Sequence, residues 1–270
     1  MASMPTLFIP HGGGPCFFME WNPPDTWHSM AAYLRGVPDD LPDRPQAIIV
    51  ISAHWESATV TIQHNPSPPL LFDYQGFPAH TYQITYPAAG SPQLAGRIAD
   101  LLTAAGIAST FDFDRGFDHG VFVPLKIAFP AADIPIVQVS LQAGFDPAGH
   151  LALGRALHPL REEGVLILGS GMSYHNMRTL MRNMHGGGPV APDSELFDAW
   201  LTEVLTRRTP AARDQALINW ETAPAARKAH PREEHLLPLL VVCGAAASEP
   251  GKKMLSDTVM GAMESAFQFN

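Results

Sequence analysis

Short runs of apolar residues alternate along the chain with longer segments of helical periodicity. Strands are predicted over residues 6–10, 47–52, 59–63, 134–140 and 165–169, and helices over residues 91–105, 147–161, 194–205, 210–219 and 231–244. The runs that begin at Ala47, Ile134 and Val165 are apolar throughout, which is typical of parallel strands covered on both faces. The alternation predicts an α/β fold with a central, largely parallel or mixed sheet flanked by helices on both faces.

The proline-rich and glycine-rich segments of the chain give no sign of a domain boundary. The proline-rich residues 65–69 and the stretch Gly186-Gly187-Gly188-Pro189 are short and flanked by patterned sequence, so they are predicted to be loops. No repeat and no low-complexity tract is present. We therefore expect a single catalytic domain over residues 1–270.

Composition limits the kinds of partner and the cellular compartment that are expected for this protein. Apolar residues make up 46% and charged residues 16% of the chain, as in compact soluble proteins. The net charge of −9 argues against nucleic acid or an acidic membrane as a partner. The first residues lack the pattern of a signal peptide, and no apolar stretch approaches the ~20 residues of a membrane-spanning helix. Two cysteines, Cys16 and Cys243, are expected to be buried free thiols in a reducing, cytoplasmic compartment.

Several of the twelve histidines stand where a predicted strand runs out into a loop. PTLFIP is followed by His11, IIVISA by His54, and VLILGSGMSY by His175. Imidazole is the commonest metal ligand and the side chain best suited to proton transfer near neutral pH. Ligand sites of α/β sheets lie beyond the strand ends, so these histidines predict one metal-centred active site.

The surroundings of the first two histidines favour metal ligation. His11 opens the sequence HGGGP, whose glycines let the backbone approach a ligand closely. The same pattern serves as an oxyanion loop in some esterases, but these need a GxSxG nucleophile elbow, and none is present. His54 could be a buried histidine bonded to backbone if it stood alone. With other histidines at strand ends, a ligand role is favoured.

Two further histidines suggest proton transfer and substrate contact. His175 follows a glycine-rich strand exit, which favours a general acid or base and leaves a fourth metal ligand as the alternative. His119 lies in GFDHGVFVPL, where it could touch substrate, ligate metal or stabilise a turn. Asp118 is its neighbour and a candidate hydrogen-bond partner.

The segment HPREEH contributes one more ligand candidate. Pro231 suits the first position of a helix, and five helical positions rotate a side chain by about 140° relative to its starting point. His230 and His235 would therefore not face the same metal, and His235 is the better candidate. Glu234 is a rival ligand, because two histidines and one carboxylate form an established site for non-haem iron.

Seven segments together carry a resemblance to a known family. PHGGGP, ISAHWE, GFPAHTYQITYPAAGSPQLA, GFDHGVFVPL, IPIVQVSL, GSGMSYHN and HPREEHLLPLLV occur in the order found in extradiol aromatic ring-opening dioxygenases of the DOPA-dioxygenase type. That class includes the protocatechuate 4,5-dioxygenase catalytic subunit. The resemblance runs from about Thr6 to Gly244, nearly the whole chain.

The resemblance implies a role for each histidine. His11, His54 and His235 resemble the metal ligands, His175 resembles the catalytic acid or base, and His119 resembles a residue of the substrate site. The sequence PHGGGP stands where many relatives have GHGSP, which keeps the histidine and changes the pocket beside it. The protocatechuate branch uses a glutamate as third metal ligand, so Glu234 remains a candidate for that position.

The implied chemistry is oxidative ring opening. The resemblance implies a small aromatic catechol and O2 as substrates and Fe(II) as cofactor, with Zn(II) able to occupy the same ligands. A zinc-dependent hydrolase that uses metal-bound hydroxide and an inactive metal-binding protein are the alternatives. Enzymes of this size are often symmetric dimers, so a homodimer is expected.

Overall fold

The computed structural model describes residues 3–184 and 189–270. The strands are β1 (Thr6–Pro10), β2 (Ala47–Ser57), β3 (Val60–Gln63), β4 (Ser109–Asp112), β5 (Ile136–Gln142), β6 (Val165–Gly171), β7 (Gly251–Val259) and β8 (Ala262–Phe269). The helices are α1 (His28–Gly36), α2 (Pro92–Ala104), α3 (His119–Ala128), α4 (Pro147–Leu157), α5 (Met177–Arg182), α6 (Pro192–Arg207), α7 (Pro210–Ile218), α8 (Ala226–Ala229) and α9 (Leu237–Ala246). Most of the loop predicted at residues 186–189 lies outside the described residues.

All eight strands form one mixed sheet in the order β4-β3-β5-β2-β6-β1-β8-β7. The four central strands β5, β2, β6 and β1 are parallel, while β3 is antiparallel to β5 and β8 is antiparallel to β1. Ser170 of β6 is level with Ile9 of β1 and with Ser52 of β2. The carboxyl ends of β1, β2 and β6 therefore open at the same edge of the sheet.

Helices cover both faces of the sheet, because its central strands are apolar on both sides. Ile49 and Ile51 of β2 pack into one core with α2, α4, α6 and α9, whereas Ile48 and Val50 pack into another with α1 and α3. These four isoleucine and valine side chains are fully buried. The predicted α/β fold with a mixed sheet and helices on both faces is confirmed.

The predicted helix over residues 231–244 begins later than expected. Residues 231–236 form bends and a turn, and α9 starts at Leu237. Pro238 explains the difference, since a proline has no N–H to donate and is tolerated only in the first turn of a helix. His235 therefore precedes α9 instead of lying within it.

Two further features concern the cysteines and the length of the helices. Cys16 and Cys243 are buried free thiols, as expected. Among residues 3–184 and 189–270, none of the helices combines the length and the apolar character needed to cross a bilayer.

Candidate active site

Backbone contacts at the carboxyl edge of the sheet bring three distant segments together. The N–H of His11, which follows β1, donates to the Gly171 carbonyl at the end of β6 over 3.1 Å. The N–H of Met172 donates to the His235 carbonyl over 3.2 Å, which ties the segment before α9 to the same point. A Cβ at Gly171 would lie 2.2 Å from that carbonyl oxygen, so only glycine allows this approach.

His11, His54 and His235 converge with the geometry of a metal site. Nε2 of His11 and Nε2 of His54 face each other at 3.1 Å, and one ring nitrogen of each of the three residues lies within 4.8 Å of the others. Ligand nitrogens about 2.0–2.1 Å from one ion lie roughly 2.9–3.4 Å apart at octahedral and tetrahedral angles. The 3.1 Å spacing of the His11 and His54 nitrogens falls in this range, and His235 lies close enough to complete a group that could hold a divalent ion.

Acceptors behind the rings select the tautomer of two of these histidines. The Ser170 hydroxyl donates its single proton to the Gly120 carbonyl, so it can only accept from Nδ1 of His11 at 3.1 Å. The Glu234 carboxylate likewise accepts from Nδ1 of His235 at 2.9 Å. Both contacts place the ring proton on Nδ1 and leave the Nε2 lone pair for a metal.

Burial keeps the three imidazoles neutral. Burial, followed by repulsion from neighbouring histidines, lowers the pKa of His11 and His235 well below the ordinary value. Burial and then His119 lower the pKa of His54 to about 4. Neutral imidazole is the form that binds metal ions, so the cluster is ready to accept a cation at neutral pH.

Asp73 joins His119 to the cluster, and the sequence analysis did not identify it. Its Oδ1 accepts from the backbone N–H of His119 at 3.0 Å and from Nδ1 of that ring at 2.7 Å, while its Oδ2 lies 3.7 Å from Nδ1 of His54. Burial would raise the pKa of Asp73, but its contacts with His119 outweigh burial and lower that pKa. Asp73 is therefore the charged acceptor that orients His119.

Asp118 does not contact the His119 ring, contrary to the expectation. It is fully buried and accepts from the Ser52 hydroxyl at 2.7 Å and from Nη2 of Arg115 at 3.0 Å. Asp118 is the N-cap residue of α3, but its side chain forms no capping hydrogen bond. Asp73, 46 residues away in the sequence, takes the predicted place beside the ring.

His175 lies beside His235 and outside the three-histidine group. The two rings stack with centroids 3.3 Å apart and planes inclined by 15°. Nδ1 of His175 is 3.5 Å from Oε1 of Glu234, the oxygen that also accepts from His235. Burial alone would raise the pKa of Glu234, but the contact with His175 and other partners lower it, so this glutamate is an anionic partner of both rings.

A buried glutamate on β8 anchors the turn that carries His175. Oε2 of Glu264 accepts from the N–H of Ser173 at 3.0 Å, from its hydroxyl at 3.1 Å and from the N–H of Tyr174 at 3.3 Å. Burial raises the pKa of Glu264 well above the ordinary value. No local pattern in AMESAFQF marks this residue, because its role depends on the pairing of β8 with β1.

His230 lies in the protein core. It is fully buried, and its Nε2 donates to the Ser173 carbonyl over 2.9 Å. Burial lowers its pKa to about 3. The expectation that helical rotation turns His230 away from the metal was wrong, because residues 231–236 are not helical. What separates it from the three-histidine group is its hydrogen bond to the turn before His175.

A cavity of about 500 Å³ opens above the histidines. His11, His54, His119, His175 and His235 all line it, so the structure brings every histidine of the predicted site to one place. The remaining wall is mainly aromatic and methionine side chains, among them Trp21, Trp27, Phe77, Met172, Met177, Met181, Met184 and Met260. The site thus combines neutral nitrogen donors with an apolar binding space.

Comparison with known proteins identifies the family. Residues 6–268 match the family described as "Catalytic LigB subunit of aromatic ring-opening dioxygenase". The chain belongs to this LigB family. The family is metal-dependent, with an aromatic substrate and O2, so the chain is a ring-opening dioxygenase and the resemblance found in the sequence is confirmed.

Similar proteins extend over most of this LigB-family chain. It is 38% identical to "Dioxygenase tasH" of Hapsidospora irregularis, with 97% of this chain and 84% of that protein covered. It is 41% identical to "4,5-DOPA dioxygenase extradiol" of Beta vulgaris, with 82% of this chain and 81% of that protein covered. The crystal structure of an uncharacterized protein from Escherichia coli K12 matches with a TM-score of 0.80 and 33% identity, over 99% of this chain and all of the other.

Proposed function

We propose that the protein is an extradiol dioxygenase that opens a catechol ring beside its two hydroxyl groups, with Fe(II) held by His11, His54 and His235. The observation that carries the proposal is the convergence of these residues, with two Nε2 atoms 3.1 Å apart. Three ligands on one side leave positions for a bidentate catechol and for O2. Bound Fe(II) would supply the redox chemistry, passing electron density from the catechol to O2.

His175 is proposed to move the protons of the reaction. Glu234 lies 3.5 Å from Nδ1 of His175, so a proton taken up at Nε2 from a catechol hydroxyl would give an imidazolium paired with a carboxylate. The same Nε2 can later return the proton to the opening ring. Because Glu234 contacts the Nδ1 side of His235, we assign it to orienting the rings and not to ligation.

His119 is proposed to orient the substrate. Asp73 holds the Nδ1 proton of His119, so the ring offers Nε2 as an acceptor to the cavity that it lines. A catechol hydroxyl that donates to this nitrogen would be turned toward the metal face. This contact would fix which edge of the ring faces O2.

The setting of the enzyme is part of the proposal. We assign the activity to one catalytic domain over residues 1–270. The two free thiols support a reducing, cytoplasmic compartment. Enzymes of this size are often symmetric dimers, which supports a homodimer. Zinc suits the same nitrogen donors but has no redox chemistry. The zinc-loaded protein should therefore bind a catechol without opening it.

Anaerobic reconstitution with Fe(II), followed by a screen of catechols, tests this function. We expect O2 uptake and a yellow ring-opened product from the iron-loaded protein and neither from the zinc-loaded protein. His235→Ala should lose the metal, whereas His175→Ala should keep the metal and lose turnover. His28→Ala, at an exposed histidine on α1, is the matched control. Full iron occupancy without turnover of any catechol would refute the proposal.

A further inference from the structure

One wall of the cavity is formed by four methionines, two of which are largely exposed. Met177 and Met181 are one helical turn apart on α5, and Met184 follows near its end, so all three lie on one side of this segment. Met260 joins them from the β7–β8 turn. Met177 and Met181 are 49% and 52% exposed, so they form an apolar rim. An apolar surface of this kind at a cavity mouth is typical of a ligand-binding face.

The described lining of the cavity offers no lysine or arginine to pair with an anionic substrate. Among the described residues that line it, none is a lysine, arginine, aspartate or glutamate. The Tyr74 hydroxyl already donates to the Thr81 carbonyl over 2.8 Å. A carboxylate placed against the methionine wall would therefore lose hydration without gaining a lysine or arginine partner.

We propose that the substrate is a neutral catechol with an apolar substituent, and that Met177, Met181, Met184 and Met260 bind this substituent. The inference rests on the proposed dioxygenase function and names its substrate class. Cavities of roughly 300–1,000 Å³ take drug-sized ligands, so about 500 Å³ leaves room for a substituent beside one ring. Methionine side chains are unbranched and polarizable, so they adapt to alkyl and aromatic groups alike. DOPA, which carries an ammonium and a carboxylate, is then a poor substrate.

A substrate series on the iron-loaded enzyme tests the substrate class. We expect kcat/KM to rise from catechol to butylcatechol to hexylcatechol by roughly twofold to fourfold for each methylene that is buried. Dihydroxyphenylpropionate, which places a carboxylate at the position of the apolar chain, should be at least about tenfold poorer than butylcatechol. A carboxylated catechol that is preferred to its alkyl counterpart, or a kcat/KM independent of chain length, would overturn the inference.

Binding to the zinc-loaded protein provides a readout without turnover. Titration calorimetry should give tighter binding of hexylcatechol than of catechol, with a more negative heat-capacity change from the buried apolar area. If the iron-loaded protein opens no catechol, the dioxygenase proposal fails. The ranking of affinities still tests whether the methionine wall binds an apolar substituent. Equal affinity for all neutral catechols would count against the methionine wall.

A cation placed in the wall should reverse the preference. Met181→Lys should raise kcat/KM for dihydroxyphenylpropionate relative to butylcatechol by about tenfold, whereas Met181→Leu should leave the preference for alkyl chains unchanged. Leu196→Lys adds the same charge at a side chain that is 53% exposed on α6, outside the cavity lining, and is the matched control. An unchanged ratio in Met181→Lys, with the variant folded and metal-loaded, would show that the substituent lies elsewhere.

Discussion

Replacement of Asp73 by asparagine tests how the site orients His119. Asp73 accepts two hydrogen bonds from His119, one at 2.7 Å from Nδ1 and one at 3.0 Å from the backbone N–H. A carboxylate can only accept, so it places the ring proton on Nδ1. An asparagine amide can also donate, and it would then stabilise the other tautomer with the proton on the nitrogen that faces the cavity.

The expected loss follows from the change in charge. Hydrogen bonds to charged groups contribute about 1.5–3 kcal/mol and neutral ones about 0.5–1.5 kcal/mol, so Asp73→Asn should cost about 1–2 kcal/mol of transition-state stabilisation. This corresponds to a fall in kcat/KM of roughly fivefold to thirtyfold. Asp73→Ala removes both hydrogen bonds to His119 and should lose more. Because Oδ2 lies 3.7 Å from Nδ1 of His54, a smaller decrease in metal affinity should accompany the fall.

Steady-state kinetics and a metal titration together measure these effects. The iron-loaded variants would be assayed for kcat and KM separately, and the metal affinity would be measured by competition with a chelator. Asp100→Asn, at an exposed aspartate of α2, makes the same chemical change away from the site. Wild-type kcat, KM and metal affinity in Asp73→Asn would show that Asp73 does not orient the ring.

Three further substitutions probe contacts beneath the site. Ser170→Ala removes the acceptor of the Nδ1 proton of His11 and should weaken metal binding about tenfold to a hundredfold in a chelator competition; unchanged affinity would exclude this orienting role. Gly171→Ala places a Cβ 2.2 Å from the His235 carbonyl oxygen and should lower the free energy of urea unfolding by about 1–3 kcal/mol, so wild-type stability would contradict the close approach. The pKa of His230 falls from 6.5 to about 3 on folding, so the unfolded chain binds more protons and stability is lost as pH falls below 6.5. In His230→Phe the slope of unfolding free energy against pH should decrease by about 1.4 kcal/mol per pH unit between pH 6 and 4, and an unchanged slope would refute the assignment.

The parts of the fold that the sequence predicted well are those with strong local patterns. The limits of β1 coincide with the prediction, and β6 is only two residues longer than predicted, because each strand contains a short run of apolar residues. In contrast, α3 was missed because its sequence contains Gly120 and Pro124, both poor helix formers. Its burial between the sheet and α1 compensates for that weak local preference.

The histidines of the site were foreseeable, whereas their partners were not. His11 and His175 follow strands whose carboxyl ends share one edge, so a strand prediction already places them together. His54 differs slightly, since β2 continues past it to Ser57 after a shift in its pairing with β5. Asp73 lies in an irregular segment with no periodic pattern, and only the tertiary fold brings it to His119.

The hydrogen-bond acceptors behind the rings explain how a cluster of neutral histidines is oriented before a metal ion binds. Each of Ser170, Glu234 and Asp73 accepts a hydrogen bond from Nδ1 of a different ring, and each comes from a different segment of the chain. The energy needed to orient the rings is therefore supplied by folding, before any ion binds. Because the lone pairs of His11 and His235 are already directed away from these acceptors, metal binding need not reorganise the rings. A loss of any one acceptor should accordingly weaken the site without removing a ligand.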